Sequence, residues 1–121
     1  YIYCSSYEIF SLAGLFSEWT ETNTGVNVST FTIITTEANQ LMAEVHNSKK
    51  RMPAVLNLDS EKKWLDLTIK PEDALALLSP CPEDFLRAHT ISPLINDRNS
   101  NRNTPEIIRE YSWKNNDSLF L

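Results

Sequence analysis

His46, Lys49, Lys50 and Arg51 fall within a window of six residues, and Thr35 and Thr36 close the β-type run that leads toward them. An imidazole titrates near neutral pH and is the side chain most often used as a general acid or base. Arginine offers a phosphate a planar fork of N–H donors, and lysine offers a point charge. Threonine hydroxyls at a strand end can be presented into a cleft. The combination suits proton transfer beside a bound anion. No other part of the chain concentrates chemistry as residues 35–56 do, TTEANQLMAEVHNSKKRMPAVL. The blander reading of the same residues is a histidine at a helix end followed by a solvated cationic loop. Spacing alone leaves both readings open.

The remaining candidates are weaker. Cys4 and Cys81 match no zinc or redox spacing. They read as two reduced thiols in an intracellular, cytoplasmic protein. Neither His46 nor His89 has a companion ligand at i+3 or i+4, so no metal and no cofactor is expected. No nucleophile is spaced to pair with His46. The only glycines, Gly14 and Gly25, cannot build a glycine-rich phosphate loop. Glu18 beside Trp19 reads as a surface carboxylate. The net charge of −5 argues against a broad, sequence-independent nucleic-acid groove, though not against a local basic patch.

The 121 residues suffice for one domain, and a 41% hydrophobic fraction can fill a core. No apolar run reaches the roughly 20 residues of a membrane-spanning helix, so no membrane partner is expected. The chain opens on a strand pattern, YIY, without a methionine. That predicts a polypeptide belonging to something longer.

The elements follow from period and composition. Residues 1–4 and 8–16 (EIFSLAGLF) read as β runs, the second apolar enough to lie in a buried sheet. A polar loop over residues 20–27 holds Gly25 and leads into the β-branched run 28–36, which predicts an antiparallel hairpin with 8–16. Residues 37–46 change period: Leu41, Met42 and Val45 share a helical face, with Thr36 as the expected N-cap. His46 then sits in the last turn, where the helix dipole favours a cation. A β run with Pro53 follows, then helices over residues 59–67 and 71–78, the first capped by Asp59 or Ser60 and the second opening on Pro71. Residues 84–91 read as extended, 96–103 as loop, and 104–106 as the start of a final short helix. Residues 111–121 are left without structure. Strands lead and helices cluster later, which predicts an α+β fold, mainly antiparallel sheet with several short helices.

Taken together, the strand ending in Thr35, the helix, His46, the polar link and Arg51-Met52-Pro53 resemble the C-terminal signature of the SRAP family, the SOS-response-associated peptidase domain. EIFSLAGLFSEW resembles the preceding family strand with its small Ala-Gly step, and SEKKWLDL resembles the following helix. His89-Thr90-Ile91-Ser92 is similar to the family's His-Pro-Val-Ser run, with Thr for Pro and Ile for Val. The resemblance extends over residues 1–111 and treats 112–121 as a tail. It implies a partial SRAP β-fold and a protein that acts on abasic sites in single-stranded DNA. In the family, a cysteine exposed after the initiator methionine reacts through its amine and thiol with the ring-opened aldehyde, giving a thiazolidine crosslink; autoprocessing gives the peptidase name. By motif, His46 matches the catalytic histidine, and Thr35 and Arg51 match positions lining the DNA cleft. Lys49 and Lys50 lie in a link longer than usual and are candidate DNA contacts.

The family's nucleophilic cysteine, catalytic asparagine and catalytic glutamate lie in an N-terminal half that this sequence does not contain. Cys4 and Glu18 are not substitutes. The expectation is the C-terminal portion of one SRAP domain, partnered by the missing half or by another chain, and forming no crosslink alone. Two alternatives remain: a non-catalytic interaction domain with a basic loop, and a thiol peptidase acting on other proteins.

Overall fold

β-Branched and aromatic residues build most of the strands here, but the strands are short because three of the β runs bend where they change partner. The structure, a computed structural model, describes residues 1–45 and 48–113. Strand β1 (Ile2–Cys4) pairs antiparallel with β8 (Leu86–Ala88). Alternation sets its faces: Cys4 and its partner Leu86 are buried, while Tyr3 and Arg87 point outward.

The centre of the fold is a three-way strand junction. β2 (Ser11–Leu12) continues through Ala13 into β3 (Gly14–Thr20), β4 (Asn27–Ile33) through Ile34 into β5 (Thr35–Glu37), and β6 (Arg51–Pro53) through Ala54 into β7 (Val55–Leu56). The three linking residues bond one another in a ring. Ala13 N–H donates to the Ala54 carbonyl at 2.8 Å, Ala54 N–H to Ile34 at 2.9 Å, and Ile34 N–H to Ala13 at 2.9 Å. On either side of the ring each bent strand has a different neighbour: β3 pairs with β4, β5 with β6, and β7 with β2, all antiparallel. The ring leaves little room for side chains, and Ala13 and Ala54 are completely buried in it. Gly14 follows because a Cβ there would lie 2.9 Å from the Thr32 carbonyl oxygen. The Trp64 indole N–H donates to the Gly14 carbonyl at 3.2 Å and closes the junction from the side.

Helix α1 (Gln40–Val45) connects β5 toward β6; α2 (Leu58–Trp64) and α3 (Pro71–Ala76) follow β7, and 3-10 turns cover Pro93–Asn96 and Pro105–Ile108. One core cluster gathers Met42, Met52, Val55, Cys81 and Leu86, and a second gathers Ala13, Ala54 and Leu56 under Trp64, Leu77 and Leu78. Short antiparallel pairs with short helices make this an α+β fold.

Several expected boundaries are corrected. The run 8–16 is not one buried strand: it breaks at Ala13, and beyond the break Leu15 and Phe16 are 58% and 81% exposed. Apolar composition identified a β segment but could not reveal a change of partner in its middle. The run 28–36 breaks likewise at Ile34. Thr36 does not cap α1; it pairs with Met52 in β5, and Asn39 caps the helix, its Oδ1 accepting the Met42 N–H at 3.0 Å. Asn57, not Asp59 or Ser60, caps α2, accepting from the Ser60 N–H at 2.9 Å. Pro71 opens α3 with Glu72 and Asp73 in its first turn, where acidic side chains suit the dipole. Only Leu86–Ala88 of the extended run 84–91 joins a ladder. The expected final helix is a 3-10 turn over Pro105–Ile108. Of the tail, residues 114–121 lie outside the described residues.

Candidate nucleic-acid interface

The β5–β6 ladder decides which side chains can meet a ligand. Its register is Thr35 opposite Pro53, Thr36 opposite Met52, and Glu37 opposite Arg51. Met52, 1% exposed, anchors one face in the core. The period of two then turns Thr35 and Arg51 to the other face, where both are exposed. Arg51 reaches diagonally across the ladder, its Nη2 donating to the Thr35 hydroxyl. Diagonal neighbours lie within reach of a side chain this long. A guanidinium has five N–H donors, so others remain for a phosphate. Glu37 faces Arg51 in register, yet among the described residues no carboxylate closes on Arg51 as an ion pair.

Ser48 and Lys49 form the turn ahead of β6, and Lys50 enters the strand with φ of 48°, the left-handed region that a side chain disfavours. The Ala38 N–H donates to the Lys50 carbonyl at 2.9 Å and holds it there. Lys49 and Lys50 are both exposed beside Arg51. Three consecutive exposed cations, one hydrogen-bonded to a hydroxyl, make a local cationic patch on a chain of net charge −5, with donors of the kind that suit an anion. His46, the expected catalytic residue, lies outside the described residues; α1 ends at Val45 immediately before it in the sequence.

Other candidates stand apart from this patch. Glu18 lies on the exposed β3–β4 hairpin, paired with Ser29. Cys4 and Cys81 are free and buried. Burial pushes the Cys81 thiol above its usual range, and the nearby Glu83 carboxylate adds to the effect. His89 packs against the stacked rings of Tyr1 and Tyr3, with centroids 5.4 and 5.5 Å away, and its Nε2 lies 2.8 Å from the Ile108 carbonyl. Its role is to tie β8 to the C-terminal 3-10 turn. No group of three or more potential metal ligands occurs among the described residues. Among the described residues no helix is long and apolar enough to cross a membrane.

Sequence reasoning missed two residues that hold this region. Asn39 caps α1 in the place expected of Thr36. Its preference for N-caps was the signal that could have found it. Glu83 bonds the N-terminus of α1 from 43 residues away, and no local pattern reports such a contact.

Comparison with known proteins agrees with the motif. The family described as SOS response associated peptidase (SRAP) matches residues 1–98. The abasic site processing protein YoqW of Bacillus subtilis is 36% identical over 107 residues, covering 88% of this chain and 45% of that protein. The abasic site processing protein HMCES of Xenopus tropicalis is 37% identical over 100 residues, covering 81% of this chain and 28% of that protein. The crystal structure of a Bacteroides thetaiotaomicron protein superimposes with a TM-score of 0.82 at 34% identity, covering 93% of this chain and 47% of that one. The chain therefore spans about half, or less, of the length of the proteins it matches.

Proposed function

This chain belongs to the SRAP family, and from that premise we propose that it is the C-terminal portion of an abasic-site processing domain that binds single-stranded DNA. The observation that carries the reading is the Arg51–Thr35 contact beside the exposed Lys49 and Lys50. It concentrates cationic donors at one point of an acidic chain, which fits a confined backbone contact better than a long groove. The family resemblance and the names of the relatives support abasic DNA as the ligand.

In this reading Arg51 binds a phosphate while Thr35 fixes the guanidinium. Lys49 and Lys50 add screened attraction along the strand. His46 moves protons at the ring-opened aldehyde. Attack by an amine and a thiol on that aldehyde forms a thiazolidine and releases water, and both nucleophiles belong to a cysteine outside these residues. Neither cysteine of this chain replaces it, since Cys4 and Cys81 are only 6% and 7% exposed. Their burial also disfavours a thiol peptidase acting through either of them.

Fluorescence anisotropy with a labelled single strand carrying one abasic site tests the proposal. The chain binds it noncovalently, and a denaturing gel shows no adduct. Arg51→Ala weakens binding and lowers the slope of log K against log salt by about 0.7, the contribution of one phosphate contact on a single strand. Binding unaffected by Arg51→Ala, or no binding at all, favours a partner-docking loop instead. A covalent adduct from this chain alone would place the nucleophile inside it and overturn the assignment.

A further inference from the structure

Helix α1 has only six residues, too few to hold itself in water. Yet it ends directly before His46, and the cationic turn follows. Its N-terminus is gripped from a distant part of the chain. One carboxylate oxygen of Glu83 accepts the Gln40 N–H at 2.8 Å, and the other accepts the Leu41 N–H at 3.4 Å. Asn39, the one buried polar side chain among the described residues, works from both ends of its amide. Its Oδ1 accepts the Met42 N–H at 3.0 Å, and its Nδ2 donates to the Cys81 carbonyl at 3.3 Å. The segment around Pro80 and Pro82 thus holds the start of α1 by three of these bonds, and the fourth is Asn39's own cap on the helix. At the far side, the Ala38–Lys50 bond ties the other end of the intervening stretch.

We infer that Glu83 and Asn39 are positioning residues for the proposed site: they hold the first turn of α1, and the Ala38–Lys50 bond next to Asn39 carries that hold to the Lys49–Lys50 turn. Neither has a place at the ligand, and the inference rests on the nucleic-acid reading above. Glu83 gives it a distinctive sign. Simple electrostatics says that deleting a carboxylate from an acidic chain tightens its binding to a polyanion. Positioning says that the same deletion loosens it.

The test compares abasic single-strand affinity in the unaltered chain with Glu83→Ala, Glu83→Gln and Gln40→Pro, below the melting temperature of each. Glu83→Ala weakens binding by roughly threefold or more, about the effect of a lost helix cap. The salt slope stays unchanged, because no phosphate contact is removed. Glu83→Gln keeps an acceptor for the Gln40 N–H and binds within about twofold of the unaltered chain. Gln40→Pro suits the first helical position, leaves the net charge alone and deletes the shorter of the two bonds that Glu83 accepts. It weakens binding even if Glu83→Ala fails to fold. Affinity unchanged or tightened in folded Glu83→Ala, or unchanged in Gln40→Pro, overturns the inference while leaving the function standing. An unaltered chain that binds no single strand overturns both.

Discussion

At the scale of single residues, the site divides into side chains chosen for chemistry and side chains chosen for burial. Arg51 and Thr35 belong to the first kind, and their contact needs only the register of one short ladder. Cys81 belongs to the second. Its thiol is desolvated and held above the usual range for a cysteine, with Glu83 opposing ionisation further. The group keeps its proton longer in the folded chain than in the unfolded one. Its stabilising contribution is therefore whole below the unfolded value and is lost as pH rises from there through the folded one. The urea midpoint of the unaltered chain should fall between about pH 8 and about pH 10 more steeply than that of Cys81→Ser, whose hydroxyl does not titrate there. Equal slopes would mean that the thiol reaches water. The meeting of Thr35 and Arg51 was legible because their order matched a family motif, and the ladder brings the two into contact; His46 lies outside the described residues. Asn39 and Glu83 were not legible, because their tasks exist only once the segment near Cys81 has folded back on α1.

At the scale of elements, composition identified every longer β run but not where each one bends. Residues 8–16 and 28–36 have the apolar and β-branched content of strands, and the hairpin between them forms as β3 and β4. What composition could not report is that Ala13, Ile34 and Ala54 meet in one hydrogen-bonded ring, since that depends on segments about 20 residues apart. The trace it leaves in the sequence is smallness: Ala13-Gly14 on one strand and Ala54 on another. Helix starts were displaced by a few residues for a related reason. Asn39 and Asn57 outcompete nearby Thr, Asp and Ser because their side chains actually reach the third amide onward. The junction predicts a sharp penalty. Gly14→Ala places a methyl 2.9 Å from the Thr32 carbonyl oxygen, and that oxygen belongs to the paired strand β4. Backbone in a ladder yields less than a side chain, so the substitution should cost about 1–3 kcal/mol in urea denaturation. Gly25→Ala offers the contrast. Nothing lies within 4 Å of its Cβ, but its φ of +70° strains any side chain, so its cost is conformational and about 1 kcal/mol. A Gly14→Ala chain as stable as the unaltered one would show that the ring is looser than drawn.

At the scale of the whole molecule, the β3–β4 hairpin is the feature that the described residues do not complete. Phe16 and Phe31 face each other across it, and each is 81% exposed. Leu15 and Trp19 stand on the opposite face at 58% and 54%. A two-stranded hairpin is marginal in water, and one that is apolar on both faces requires cover. The chain spans 45% of its Bacillus relative and 47% of its structural neighbour, so the family domain has the material to supply that cover. This gives a prediction with opposite outcomes in two settings. In the chain alone, Phe16→Ser with Phe31→Ser removes side chains that bury little. The urea midpoint should stay within about 0.5 kcal/mol, and self-association should fall. In a chimera, this chain replaces the matching residues of the Bacillus protein. There the same pair of changes should cost several kcal/mol, since truncating one buried phenylalanine costs about 3–5 kcal/mol. On the function proposed above, the chimera should form the crosslink and His46→Ala should slow its formation on a denaturing gel. A chimera indifferent to the paired serines would leave the Phe16–Phe31 face of the hairpin in water. The half-domain reading would then lose its structural reason.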